Sequence, residues 1–343
     1  MKSKLPVIML SVVVLITATV WLTREKPSSR SDAAHGAQRL FPGLEQALND
    51  ITRIRVEHHG LVYDVTKKDD HWQLPGKGGY PVLFERVKPL LLGMALLEKI
   101  EPKTDRPKNY VRLGVEEPSV HTANTRIALY ATADKPVASL IVGMIQAGLI
   151  AGGRDGIYAR VSGQQRSWLL AGHLVLPQRP VDWVDRQFIH IKPKRVKRVT
   201  IIQPDGSRLV VEKSRQGAAN YHVMNLPEGA ALKQGVQVNP LARGLSALKM
   251  DDVFVHKAIQ LPESTAVNAI YETWDGLRIT AHTVEQDRKM LLWFDLADAS
   301  GDNASVISDL HARLDGRVYQ IPYPRAERLR KRLGDLVTHP VGQ

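Results

Sequence analysis

Four short stretches of the sequence hold residue types that do chemistry in other proteins. Ser246-Ala-Leu-Lys249 has the serine–lysine spacing of penicillin-recognising enzymes. On a helix that spacing stacks both side chains on one face, so the amine can activate the hydroxyl. The companion SDN and KTG motifs are absent, and a related stretch earlier in the chain reads Ala95-Leu-Leu-Glu98. The pair therefore reads as one face of an amphipathic helix. In "VDWVDRQF", Asp182, Trp183, Asp185 and Arg186 set two carboxylates and a guanidinium around an indole. Paired carboxylates serve acid–base work; the alternative is that Trp183 packs a junction while Arg186 neutralises an aspartate.

His58 and His59 are adjacent on an expected strand. Neighbouring strand residues point to opposite faces, so the two rings do not share a metal ion. No HExxH or clustered His/carboxylate pattern occurs elsewhere. Finally "LPGKGGYP", Leu74 to Pro81, has the glycines and lysine of a phosphate-binding loop. Its spacing fails that test. His71 stands where a Walker loop has its first glycine, Gly78 follows Lys77 in place of a hydroxyl residue, and Pro81 takes the last glycine of a dinucleotide fingerprint. The loop reads as a structural joint, with Lys77 and Tyr80 as candidate partner contacts. Asp182, Trp183 and Arg186 join them as candidates of the same kind. No catalytic, cofactor-binding or metal-binding residue is assigned.

The elements that position these residues come from a chain of 343 residues with no cysteine and a formal net charge of +12. Absence of cysteine excludes disulfides, thiolate metal sites and thiol nucleophiles. The positive excess favours anionic neighbours such as phospholipid headgroups or cell-surface polyanions, although it is spread along the chain. Leu5 to Leu22 holds 18 residues without a charge. As a helix it spans roughly 27 Å, about the thickness of a bilayer core. Lys2 and Lys4 precede it, and the small residues of a cleavage site are poorly represented. The expectation is an uncleaved single-pass anchor (5–22) behind a cytoplasmic tail (1–4), with the bulk outside a bacterial inner membrane, in the periplasm. Residues 23–40 are small, polar and aperiodic, and read as a flexible spacer.

Beyond the spacer the chain repeats itself. "ITRIRV" (51–56) matches "VKRVTI" (196–201) in its apolar positions, and "LVYDVTK" (61–67) matches "SRLVVEK" (207–213). "VKPLLLGMALL" (87–97) lies over "VNPLARGLSAL" (238–248), sharing valine, proline, leucine and glycine in step. Leu226-Pro227 falls in the second copy where Leu74-Pro75 stands in the first. Alternating strands, then a helix, then more alternating strands are expected in each copy. Asn239 would cap the second helix, with Pro240 at its first position and Pro89 in the opening turn of the first. Asp-Gly pairs at 275–276 and 315–316 read as hairpin turns, "PDG" at 204–206 as a turn. Ile141 to Gly156 reads as an apolar, glycine-rich stretch, either a mobile loop that docks on a partner or lipid or a buried turn, and Arg325 to Leu336 as a basic helix, either a solvated face or a contact with an anionic membrane surface. The fold class is α+β: two similar tandem domains (41–190 and 191–337, then a tail 338–343), each an antiparallel sheet with a packed helix, joined near Asp182 to Pro193.

The stretches "RLFPGLEQALNDITRIRVEHHG" (39–60), "WQLPGKGGYPV" (72–82), "EPKTDRPKNYVRLGV" (101–115) and "DWVDRQFIHIKPKRVKRVTI" (182–201) resemble a bacterial membrane-anchored family of unknown function. The resemblance implies a single-pass inner-membrane protein with an extracytoplasmic repeat domain. It also implies the company of ABC-2 type exporters and their gliding-motility-type auxiliary subunits, and brings no catalytic residues. The expected function is a non-enzymatic accessory or scaffold subunit of an envelope ABC-type transport system. It would have a permease or auxiliary subunit as partner, and no cofactor, nucleic acid or small-molecule substrate. Two alternatives stand beside it. One is a polyanion-binding envelope module for glycan or anionic lipid. The other is an envelope hydrolase using Asp182, Asp185, Ser246 and Lys249.

Overall fold

Period-two alternation of apolar residues produces strands wherever one face can be buried. In the computed structural model, which describes residues 38–301 and 303–338, this happens twice. The expected anchor and the spacer up to residue 37 lie outside the described residues, as does the tail from residue 339. The first set of strands is β1 (Arg53–His58), β2 (Leu61–Lys68), β3 (His71–Leu74), β4 (Tyr80–Pro81), β5 (Glu98–Pro102), β6 (Thr125–Tyr130), β7 (Ala138–Ile150), β8 (Arg154–Val161) and β9 (Ser167–Gly172). They form one antiparallel sheet in the order β4-β3-β2-β1-β6-β7-β8-β9-β5.

At the seam lies β10 (Gln187–Ile189). The second set is β11 (Val196–Ile202), β12 (Arg208–Glu212), β13 (His222–Val223), β14 (Ala231–Leu232), β15 (Leu248–Lys249), β16 (Asp252–Val255), β17 (Val267–Thr273), β18 (Leu277–Gln286), β19 (Lys289–Asp298), β20 (Arg317–Ile321) and β21 (Val337–Thr338). Eight of these make a second antiparallel sheet, β13-β12-β11-β17-β18-β19-β20-β16. From β3 to β5 in the first sheet and from β13 to β16 in the second, the permutation is the same. The fold is mostly β-sheet with few helices, in keeping with an α+β class. One apolar cluster runs from Ile54, Leu90 and Ile127 through Trp183 and Phe188 to Val199, Tyr271 and Leu292, so both sheets share a core across the seam.

Helices differ between the halves. α1 (Phe84–Leu96) packs on the first sheet with Val87, Leu90, Leu91 and Met94 inward. It begins three residues earlier than its repeat motif, so Pro89 lies inside it instead of in the opening turn. Gly93 permits its close approach: a Cβ there would sit 2.6 Å from the carbonyl oxygen of His173.

The expected second helix does not form. Residues 238–248 hold only a 3-10 turn at Asn239–Arg243, and Ala247 then takes a left-handed φ of 58°. Asn239 does not cap it; its Oδ1 accepts the amide of Tyr221. The space is contested by a C-terminal segment without a first-half counterpart. Leu329, fully buried, reaches the position a Cβ on Gly244 would occupy, as does the Tyr271 hydroxyl. The second half has its own helix elsewhere, α2 (Ala304–Leu314), between β19 and β20.

Three other expectations are corrected. Asp315–Gly316 joins α2 to β20 and is not a hairpin turn, whereas Asp275–Gly276 does join β17 to β18. The basic run 325–336 is no continuous helix. It breaks into α3 (Tyr323–Ala326) and two 3-10 turns, because Arg330 donates to Thr283 O and Arg332 to Asp205, pinning it to the second sheet. Ile141 to Gly156 is neither loose loop nor buried turn but the paired end of the β7–β8 hairpin.

The connection from β19 to α2 supplies a pH prediction. Asp298 accepts hydrogen bonds from the amides of Asn303 and Ser300 and from their side chains. The Asn303 amide is the largest cause holding its carboxyl down to about 2 from an ordinary 3.8. A depressed carboxyl stabilises fully above its unfolded pKa, and the contribution is lost as pH falls from about 4 to about 2. The difference in urea midpoint between the wild type and Asp298→Asn should therefore shrink through that window. A constant difference from pH 5 to 2 would refute the assignment.

Candidate functional site

Three of the four chemistry-bearing stretches meet at the seam, and two of them bind the second half through Lys77 and Arg186. Burial is complete at Trp183, whose Nε1 donates to the Tyr63 hydroxyl at 3.0 Å; that hydroxyl donates onward to Pro177 O. Burial is also the main reason the Tyr63 phenol is raised well above its ordinary range. Asp182 closes the 3-10 turn Pro180–Trp183, accepting the Arg179 amide and guanidinium. Asp185 accepts the amide of Gln187. Arg186 donates to Met250 O and pairs with Asp251 at 2.7 Å. Asp182, Asp185, Arg186 and Lys249 border one cleft of about 370 Å³ at the seam, where each aspartate keeps its own partner.

The glycine loop lies in the same place. Lys77 pairs with Asp252 on β16 at 2.7 Å and sits 4.7 Å over the Phe254 ring. Its neighbour Gly78 has a left-handed φ of 66°, and a Cβ there would meet Val255 of the second half. Tyr80, 4% exposed, meets Tyr319 edge-on, and Tyr319 stacks flat on Phe188 with centroids 3.9 Å apart. Lys77 and Tyr80 therefore contact the second half of their own chain.

The serine–lysine pair is not brought together on a helix. Ser246 Oγ donates to Arg243 O in the turn, and Lys249 follows on β15 with its side chain exposed. His58 and His59 meet edge to edge at 4.5 Å, but His58 is bound to Asn124 O and Thr125 while His59 sits in the turn after β1.

Two clefts remain. The first, about 470 Å³, lies on the second half and holds His256, His282, Trp293 and Asp295. Both nitrogens of His282 are engaged, Nδ1 with Asn268 and Nε2 with Asp295 at 2.9 Å, and its ring stacks on Trp293. His256 Nε2 is buried with no hydrogen-bond partner among the described residues. Among those residues no group of three or more His, Cys, Asp or Glu could hold a metal ion.

The second cleft, about 580 Å³, is a groove between α1, β3 and the turn Leu48–Asp50. Its floor is apolar, with Ile51, Trp72 and Leu91 nearly buried. Its lip is apolar as well: Phe84 is 54% and Leu92 37% exposed. Lys67, paired with Asp70, and Lys88, without an ion pair among the described residues, stand at the rim. Such a groove takes an apolar segment, with cations placed to meet its acidic flank. Motif and spacing rules passed over it, although a signal was present. α1 is apolar at Phe84, Val87, Leu90, Leu91, Leu92, Met94 and Leu96, more than one face of a helix can bury.

The family described as Domain of unknown function (DUF4340) matches residues 72–269, more than half of the 343. The chain belongs to that family. The DUF4340 match, a bacterial domain, runs from β3 through α1 and the seam into β17, so it takes in the α1 side of the groove and Trp183, while Tyr63 and Tyr319 of the junction lie outside it. No curated protein and no solved structure matches the chain.

Proposed function

We propose that the chain is a non-enzymatic accessory subunit, tethered to a bacterial inner membrane through Leu5 to Leu22, that docks a component of an envelope ABC-type exporter. The observation that carries this reading is the α1 groove, an apolar channel left open with large side chains on its lip. Its occupant would be an apolar helix or loop of a permease or auxiliary subunit, with acidic residues facing Lys67 and Lys88. Two further points support it. Of the polar residues that suggested catalysis, Asp182, Asp185 and Ser246 each bind a partner within three residues and Lys249 is exposed. The resemblance to anchored proteins found beside exporters also points to such a partner.

The test places a photocrosslinking amino acid at Phe84 in the full chain, in cells. Crosslinks to a membrane-integral or auxiliary transport subunit are expected, with Leu92→Asp abolishing them while stability changes by about 0.5 kcal/mol or less, as for a surface site. Full complementation by Leu92→Asp, or crosslinks only to copies of the same chain, would overturn the reading.

A further inference from the structure

The β7–β8 hairpin ends in a tip unlike that of its counterpart in the second half. From Pro136 to Gly153 there is no charged residue. Along it Met144, Ile145 and Leu149 are each at least 40% exposed. In the second half the corresponding hairpin, β18–β19, ends in Glu285-Gln-Asp-Arg-Lys289, with Asp287 and Arg288 in the left-handed turn. Water suits that charged tip. An exposed apolar tip on a chain of net charge +12 asks for a different neighbour.

The position of the tip names that neighbour. Glu98, Ala171, Gly156 and Gln146 align across β5, β9, β8 and β7. Residues 147–155 thus project beyond the level at which β5 begins. The chain comes in at that same end: Gln38 O accepts the amide of Lys99, and Arg39 pairs with Glu98 at 3.0 Å. Arg154, at the base of the tip, binds the other oxygen of Glu98. Arg39, Leu96, Gly153 and His173 border one cleft there. Arg39 and Arg154 keep 38% and 46% of their side chains exposed while their partner Glu98 keeps 16%, and Asp155 is covered by His173, so the collar around the apolar tip turns its guanidiniums outward. Apolar tip and cationic collar are the complement of an acyl boundary overlaid by phosphate headgroups. Glycines 148, 152 and 153, all at left-handed φ with open space around them, let the tip turn without bulk.

We infer that the β7–β8 tip seats in the anionic lipid interface beside the anchor and fixes the angle at which the folded body stands on the membrane. This rests on the anchor reading above. The 15 residues between Leu22 and Gln38 let the two stand at most about 55 Å apart, the limit of chain geometry. That limit ties this end of the folded body to the anchor.

Because the chain has no cysteine, single labels report directly. Leu149→Cys, Met144→Cys and, as control, Arg288→Cys are made in the full chain and labelled with an environment-sensitive fluorophore. The chains are reconstituted in vesicles of phosphatidylethanolamine and phosphatidylglycerol, about 3:1, with nitroxide lipids at shallow acyl depth. Labels at 149 and 144 should shift to the blue and be quenched about threefold or more beyond the label at 288. If the chain floats with the vesicles but all three labels stay aqueous, the hairpin inference fails and the anchor reading stands. If the chain does not float with vesicles at all, both fail. A label at 149 that leaves water only when a protein partner is added would also overturn the lipid assignment.

Discussion

Trp183→Ala is expected to cost about 4 kcal/mol of unfolding free energy, the scale for emptying a tryptophan site in a close-packed core. Few positions combine so many demands. The indole is fully buried at the seam, donates to Tyr63 of the first sheet, and its backbone carbonyl accepts the amide of Leu83 just before α1. Alanine leaves a cavity shared by both halves and an unanswered Tyr63 hydroxyl. Urea unfolding followed by far-UV circular dichroism should show one transition, moved to lower denaturant, since the core is continuous across the seam. Trp183→Phe, which refills most of the cavity but cannot donate, should lose about 1–2 kcal/mol. A loss under about 1 kcal/mol for the alanine variant would mean that the halves are not coupled through this residue.

Gly143→Ala is the second large effect, near 3 kcal/mol, from overpacking. A Cβ at Gly143 would sit 2.1 Å from Leu113 O and 2.6 Å from Gly114 O. Both obstacles are backbone, so no rotamer change relieves them. The same contact is held by the Met144 amide donating to Leu113 O. Forcing β7 away from the Leu113–Gly114 turn should therefore loosen β7 where it runs out to its exposed tip. Hydrogen exchange at Met144 should accelerate along with the fall in stability. Alanine at Gly148, where nothing lies within 4 Å of the added Cβ, strains only a left-handed φ of 65° and should cost about 1 kcal/mol. Equal losses at the two positions would show that backbone conformation, and not crowding, governs this region.

The strands, their faces and their repetition were legible in the residues alone. Alternation is a local property: Ile54 and Val56, like Val199 and Ile201, must face one side wherever the sheet lies. The recurrence of valine, proline, leucine and glycine across 87–97 and 238–248 marked equivalent buried positions, and Gly93 and Gly244 are close approaches in both halves. What those positions became depended on the packed chain. The same motif is a helix where α1 has a free sheet face and a 3-10 turn where Leu329 and the C-terminal segment press on it, since short helices follow their packing more than their propensity. Packing also settled the fate of the polar candidates. Lys77 lies 175 residues from Asp252 and Arg186 65 from Asp251, pairings no spacing rule could anticipate. The groove was hidden for the same reason, and at the hairpin tip the residues left docking and burial equally open. Whether an apolar residue is buried or left open depends on what the rest of the chain brings over it, and among the described residues no neighbouring element fully covers Phe84, Leu92 or Leu149.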